Sequence, residues 1–251
     1  MKQKSNKTLS IICTTYNSDK TLQRTIDSIK NQTFQDFEFI IVDANSTDNT
    51  LDIKKNNSEI ITKHISETDK SIFDGMNKGL NMSSGEWVYF IGSDDYLYDD
   101  RVLQNIFKNK FKENTEIVIG NVLYSNGKIF KSFWDWRILL YCSVHHQAAF
   151  YKRKLFDKNY YHTDRNYPSD YGINVGLYLK KIKHEYYDQI ICVYALGGDS
   201  SNVIWERYKN EIVTRNIHLN SFLLKTILGI QTLSRFIIKK IFLKFGKDIK
   251  I

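Results

Sequence analysis

The chain has 251 residues, 42% of them hydrophobic and 25% charged, which is ordinary for a soluble globular protein and enough for one large domain or two small ones. A single proline, Pro168, and the lack of any Gly/Ser-rich stretch exclude a flexible linker between domains. The net charge of +8 is no nucleic-acid signature, because residues 222–251 hold six lysines and Arg235 against only Asp248 and leave the remainder close to neutral.

The opening MKQKSNKTLSIICTTYN has too short an apolar run for a signal peptide, and polar turn residues follow at once. Residues 8–15 read as a buried strand. Asn17 to Lys20 break it, and a helix should follow with Leu22, Ile26 and Ile29 on one face. Residues 37–44 form a second buried strand. It ends in NSTDNT, where Ser46, Thr47 and Asp48 are all suited to cap a helix. Residues 59–65 suggest a third strand, and 71–80 a helix with Ile72, Met76 and Leu80 on one face. Residues 87–92 form a fourth strand that runs into Ser93, Asp94 and Asp95.

This alternation means a mostly parallel sheet covered by helices on both faces. Ligands in such sheets bind outside the carboxyl ends of the strands. Thr15-Tyr16-Asn17, Asp43 to Asp48, and Asp94-Asp95 all stand there, so three polar clusters should converge. Beyond residue 100, segments 116–124 and 128–134 flank Ser125-Asn126-Gly127 as a hairpin. Residues 147–152 are apolar, 170–182 read as a helix and 186–196 as a strand broken by Gly197 and Gly198.

Two adjacent carboxylates at a strand end suit a hard cation such as Mg²⁺ or Mn²⁺, which shares its shell with substrate phosphates; taken alone, a turn with a helix N-cap is the commoner use of such a pair. Asp69, Lys70 and Asp74 surround a helix start, which reads as an anion site or as a capped surface helix. His145 and His146 suit a diphosphate, a metal, an acceptor or a structural bond. Trp134, Trp136 and Tyr141 suit a sugar-stacking wall or a core. No P-loop and no GxGxxG is present, and TTYNSDKT lacks the glycines a nucleotidyltransferase needs after its first strand. Cys13, Cys142 and Cys192 stand singly, which argues against zinc and disulfides and for a reducing cytosol.

Residues 10–50 (SIICTTYNSDK through DANSTDNT) resemble the opening of the family 2 glycosyltransferases, which have the GT-A fold. ISETDKSIFDGMNKGLNMSSGEWVYFIGSDDYLYDD, HHQAAFYKRKLF, the segment around Ser169-Asp170-Tyr171 and GGDSSN continue the pattern over about residues 8–202. The resemblance is to bacterial members that build exopolysaccharide, capsule or O-antigen. It implies nucleoside contacts from Thr15, Tyr16 and Asp43, with Asp69 helping to recognise the base, and a metal at Asp94 and Asp95. Gly92 stands where many members have Asp. Asp170 takes the place of the general base, after Ser169 where many members have Glu; Asp164 and His162 are the next candidates.

The expected enzyme is an inverting transferase that moves a sugar from a UDP-sugar to a glycan acceptor on a polyprenyl diphosphate. Its nucleotide half would be residues 1–100 and its acceptor half 101–212. A catalytically dead binding module with the same fold is the alternative. From about residue 213 the spacing predicts a helical tail. Leu223, Ile227, Ile230, Ile237, Ile241 and Phe245 share one face, Lys225, Arg235 and Lys239 the other, and Lys240 and Lys244 the flanks. Such a helix suits the surface of an anionic bilayer, with the protein peripheral on the cytoplasmic face; packing on the core or in a homodimer is the alternative. No stretch is apolar enough to span a membrane.

Overall fold

In the computed structural model, residues 7–108, 110–157, 161–163, 169–196 and 204–245 are described. Gly197, Gly198, the GGDSSN segment, Asp164 and Asp248 lie outside them. Strand β1 (Leu9–Thr15) is buried on both faces, as its unbroken apolar run requires. It lies between β2 (Phe37–Asp43) and β4 (Trp87–Gly92), parallel to both. Beside β2 lies β3 (Lys63–Ser66), also parallel.

The third strand is shorter than residues 59–65 suggest. Ile60 and Ile61 instead belong to a turn in which both backbone N–H groups donate to the Asn57 carbonyl, and both side chains pack on the core beneath. All four residues of β3 pair with β2, and β3 forms the sheet edge.

Past β4 the sheet continues through β8 (Ala149–Lys152), β6 (Ile117–Tyr124), β9 (His184–Tyr194) and β5 (Tyr96–Leu97), with β7 (Ile129–Phe130) hairpinned onto β6. Gly127 sits in that turn at φ 83°, a conformation open to glycine. Strands β1 to β4, β6 and β9 run one way; β8, β7 and β5 run against them.

Alternation along β1 sends Leu9, Ile11 and Cys13 to one face and Ile12 to the other. Helices α1 (Leu22–Lys30) and α4 (Val102–Phe107) cover the first face. Helices α3 (Ile72–Met82) and α5 (Ser169–Leu179) cover the second; α2 (Thr50–Asn56) follows β2. The buried face of α3 is Gly75, Met76, Gly79 and Leu80, while Ile72, expected on it, is exposed. The glycines bring the helix against β1: a Cβ on Gly79 would stand 2.3 Å from Cγ2 of Ile12.

At the C-terminal end α6 (Trp205–Ile217) packs on α5, and α7 (Phe222–Lys244) packs on α6. The boundary expected between 212 and 213 therefore falls inside α6. No helix among the described residues is long and apolar enough to cross a membrane. Cys13, Cys142 and Cys192 are free thiols.

Candidate active site

The register of the sheet aligns the ends of four strands. Thr15 pairs with Asp43, Asp43 with Ser66, and Thr14 with Gly92. The loops that follow are bonded to one another. Asn17 N–H donates to Ser46 Oγ at 2.8 Å, Thr47 N–H to Asn17 Oδ1 at 2.9 Å, Ser18 N–H to Thr50 Oγ1 at 2.8 Å, and Asp19 N–H to Asp48 Oδ2 at 3.1 Å. Ser18 and Ser93 hydroxyls meet at 2.8 Å. Asn17 and Asn45 turn these loops with positive φ, which asparagine tolerates. The three polar clusters converge as the strand order requires.

Within this edge Thr15 Oγ1 is buried without a partner, and Tyr16 is 60% exposed beside it. Asp43 is wholly buried and its carboxylate is already saturated. It accepts from the Ser46 hydroxyl and N–H, from the Ser66 hydroxyl, and pairs with Lys54 at 3.3 Å. Burial works against the charge, but the Ser46 and Ser66 hydroxyls and the Lys54 ammonium outweigh it and hold the carboxyl below its usual range. Asp43 thus ties the ends of β2 and β3 to the Ser46 loop.

Asp69 meets Lys78 at 2.6 Å, and its carboxyl is nonetheless raised, chiefly by burial. Gly75 makes room for it, since a Cβ there would stand 2.6 Å from Asp69 Oδ2. Lys70 is exposed, and its N–H donates to Asp74 Oδ2 at 3.0 Å at the start of α3. Ser71 caps that helix and donates its hydroxyl to the Thr163 carbonyl.

The acidic pair divides into two roles. Asp95 is 1% exposed; its Oδ2 accepts from Gln147 Nε2 at 2.8 Å and its Oδ1 from Ala195 N–H at 2.9 Å. Burial, and next the charge of Asp94, push its carboxyl up to about 6. Asp94 is half-buried, and its backbone is held by Arg24, which donates to its carbonyl at 2.9 Å. Thr25 ties the same turn through the carbonyls of Ser93 and Asp95.

A Cβ on Gly92 would stand 2.8 Å from Asp94 Oδ1 and 2.9 Å from Asp95 Oδ2, so glycine leaves a cradle between the carboxylates. No group of three or more His, Cys, Asp or Glu among the described residues is arranged to hold a metal. Mg²⁺ and Mn²⁺ use one or two carboxylates and take other ligands from water and phosphate. The donor chemistry and the cradle fit such an ion at Asp94, with Asp95 behind it.

Asp170 opens α5, and its side chain is 26% exposed. Oδ1 accepts the N–H of Tyr171 at 2.8 Å, and Oδ2 lies 3.6 Å from Nδ1 of His146. Burial opposes its charge, but the His146 ring, the Tyr171 N–H and the charge of His145 hold the carboxyl below its usual range.

The adjacent histidines therefore part company. His146 faces Asp170, while His145 bonds Tyr124 Oη through Nε2 at 2.9 Å and packs among Phe130, Tyr124 and Tyr194. Trp134 packs with Tyr178 and with His184, which begins β9 at the sheet edge opposite the strand ends. Trp136 is exposed, and Tyr141 lies under Arg235; these rings form no common wall. His162 is exposed and its N–H donates to Ser169 Oγ.

Gln147, Arg24, Thr25 and Ser66 escape a reading of the chain. Each acts through a partner more than 20 residues away.

Residues 10–178 match the family described as glycosyl transferase family 2. A PGL/p-HBAD biosynthesis glycosyltransferase of Mycobacterium tuberculosis is 32% identical over 208 residues, spanning 79% of this chain and 80% of that one. The poly(ribitol-phosphate) beta-N-acetylglucosaminyltransferase TarP of Staphylococcus aureus is 30% identical over 207 residues, 72% of this chain and 62% of that one. In fold, the chain is similar to S. aureus TarS 1-349 in complex with UDP-GlcNAc, with TM-score 0.71, 20% identity, and coverage of 90% of this chain and 72% of that one. It is also similar to glucosyl-3-phosphoglycerate synthase from M. tuberculosis in complex with Mn²⁺, UDP and phosphoglyceric acid, with TM-score 0.63, 15% identity, and coverage of 86% and 80%. With its GT-A sheet and the family match over most of that sheet, the chain belongs to glycosyl transferase family 2 and is a glycosyltransferase.

Proposed function

We propose that this enzyme transfers a sugar, with inversion, from a UDP-sugar to a glycan acceptor in cell-surface polysaccharide or glycolipid assembly. The observation that carries the reading is the convergence of Thr15, Asp43, Ser66 and the Gly92–Asp95 turn at the strand ends, with Asp170 linked to that turn through His146, whose neighbour Gln147 bonds Asp95. Solved relatives of the same fold hold UDP-GlcNAc in one case and UDP with Mn²⁺ in another, which supports a uridine donor and a divalent ion.

The unpartnered Thr15 hydroxyl and the exposed Tyr16 ring would receive the nucleoside in a slot beside Asp43. Asp69 and Lys70 would border the same slot. A divalent ion held by Asp94 would neutralise charge on the departing diphosphate. Asp170 would take the proton from the acceptor hydroxyl as that oxygen attacks the anomeric carbon. Its depressed carboxyl keeps the base ionised at neutral pH, and His146 orients it. The acceptor in this reading is a glycan carried on a polyprenyl diphosphate at the inner face of the membrane.

A thermal-shift screen of nucleotide sugars with and without Mn²⁺ tests the donor, because a ligand of the native state raises the melting temperature. UDP-sugars should stabilise the protein in a metal-dependent way and release UDP on turnover. A screen in which purine nucleotides stabilise it and uridine nucleotides do not would overturn the assignment. Stabilisation without UDP release would mean a binding module.

A further inference from the structure

An amphipathic helix at the surface of a globular protein turns its apolar stripe toward the core. Helix α7 does the reverse. Its buried residues are Leu228, Thr232 and Arg235. Its apolar stripe points outward, with Leu223 69%, Ile227 53%, Ile230 61%, Ile237 47%, Ile241 48% and Phe245 76% exposed. At 1.5 Å per residue the stripe is about 35 Å long.

The azimuth is locked by polar bonds on the inner side. The Arg235 guanidinium donates to Glu211 of α6 and to the Leu140 carbonyl. Arg215 of α6 donates to Thr232 Oγ1 at 3.2 Å. Rolling the stripe inward would break these bonds and leave Glu211 and Arg215 buried without them, so the core does not compete for it.

We propose that this outward face of α7 docks on an anionic lipid bilayer. The helix contains no Asp or Glu, and the exposed Lys240 and Lys244 flank the stripe. A second copy seated there would set those lysines against an equally acid-free helix, whereas acidic headgroups complement them and acyl chains receive the stripe. The helix lies in the interface, being too basic to cross it.

The docking also orients the enzyme. The Leu139 carbonyl accepts from Arg215 Nη1 at 3.0 Å and from Tyr171 Oη at 3.4 Å, and Tyr171 follows Asp170. The anchor is therefore coupled through one turn to the helix that opens with Asp170, and the acceptor half meets the bilayer. That last step rests on the reading of Asp170 above.

The test uses the full chain with vesicles of phosphatidylcholine alone or mixed with phosphatidylglycerol. Binding should occur only to the anionic vesicles and be released by salt. Ile230→Glu with Ile237→Glu, both on the exposed stripe, should abolish it while UDP binding and the melting temperature stay unchanged. Lys240→Gln with Lys244→Gln should weaken partition by about five-fold per lysine removed, which keeps the proposal testable if the first variant does not fold. Wild-type binding that is absent, that ignores lipid charge, or that survives both variants overturns the proposal. So does a concentration-dependent dimer, seen by sedimentation velocity without lipid, that the glutamates dissolve while vesicles go unbound. Loss of UDP affinity for the wild-type chain would sink the donor reading and leave the docking result standing.

Discussion

At the scale of single residues, the two neighbouring aspartates are chemically different groups. Both border the cradle left by Gly92, but Asp95 already spends both oxygens on Gln147 and Ala195. Asp94→Asn should therefore lower metal-dependent turnover more than Asp95→Asn, by about 10²-fold or more if the ion stabilises the leaving group; Mn²⁺ titration and initial rates would check the order. Asp95 also bears on stability. Its folded carboxyl titrates near 6, above the ordinary value, so its contribution is full below pH 4 and is lost as the pH rises through about 6. In metal-free protein Asp95→Asn should remove that slope, on the order of 2–3 kcal/mol between pH 4 and 8, as read from denaturant midpoints. Gln147 can turn its amide, whose Oε1 has no partner, to accept from the new side chain. Asp170→Asn should lower turnover by about 10²–10⁴-fold with UDP affinity unchanged. His146→Gln should move the acid limb of the rate profile to higher pH, because burial is then less opposed. An unmoved limb would remove His146 from the proton step.

At the scale of elements, the contact of α3 with the sheet is set by glycine. α3 lies so close to β1 that Gly79 has no room for a methyl group against Ile12, whose branched side chain is restricted at χ1. Gly79→Ala should cost about 1–3 kcal/mol by overpacking, measured by urea unfolding, with the loss traceable to α3 and β1 by hydrogen exchange. Strands β1, β2 and β4 and helix α1 were legible in the chain because their periodicity is local and their burial unbroken. The two-residue strands β5 and β7 carry too few residues for any period to show. The 59–65 segment misleads because β-branched Ile60, Ile61 and Thr62 read as strand, while an Asn57 turn folds the two isoleucines onto the core.

At the scale of the whole molecule, the C-terminal helix pair is held by charge in a buried setting. Arg235 and Glu211 are 8% and 15% exposed, with Tyr141 and Tyr208 rings beside the guanidinium. Arg235→Ala would strand Glu211 without its partner and should destabilise the α6–α7 pair by about 3–5 kcal/mol. Hydrogen exchange of α7 should rise toward that of a free helix while β1 and β2 stay protected. If β1 and β2 open together with α7, the pair is part of the main core rather than an element docked upon it. A chain cut near residue 214 would lose Arg215 and end within α6, so substitutions are the cleaner probe of the tail.

The amino-acid order alone determined the alternation of strands and helices, the gathering of polar clusters at the strand ends, and the residues that share a face of α7. All three follow from short-range periodicity and turn chemistry. Tertiary structure decided which group in each cluster is left free. Asp43 and Asp95 are saturated by Ser66, Lys54, Gln147 and Ala195, partners 11 to 100 residues distant. His145 and His146 differ by one residue yet face an aromatic cluster and a carboxylate, because the chain turns between them into a short 3-10 segment. Trp134 went to the far edge of the sheet with His184. The outward roll of α7 depends on Glu211 and on the carbonyl of Leu140, 95 residues upstream of Arg235. Periodicity shows that a helix has two faces; only the groups packed against it decide which face is turned inward.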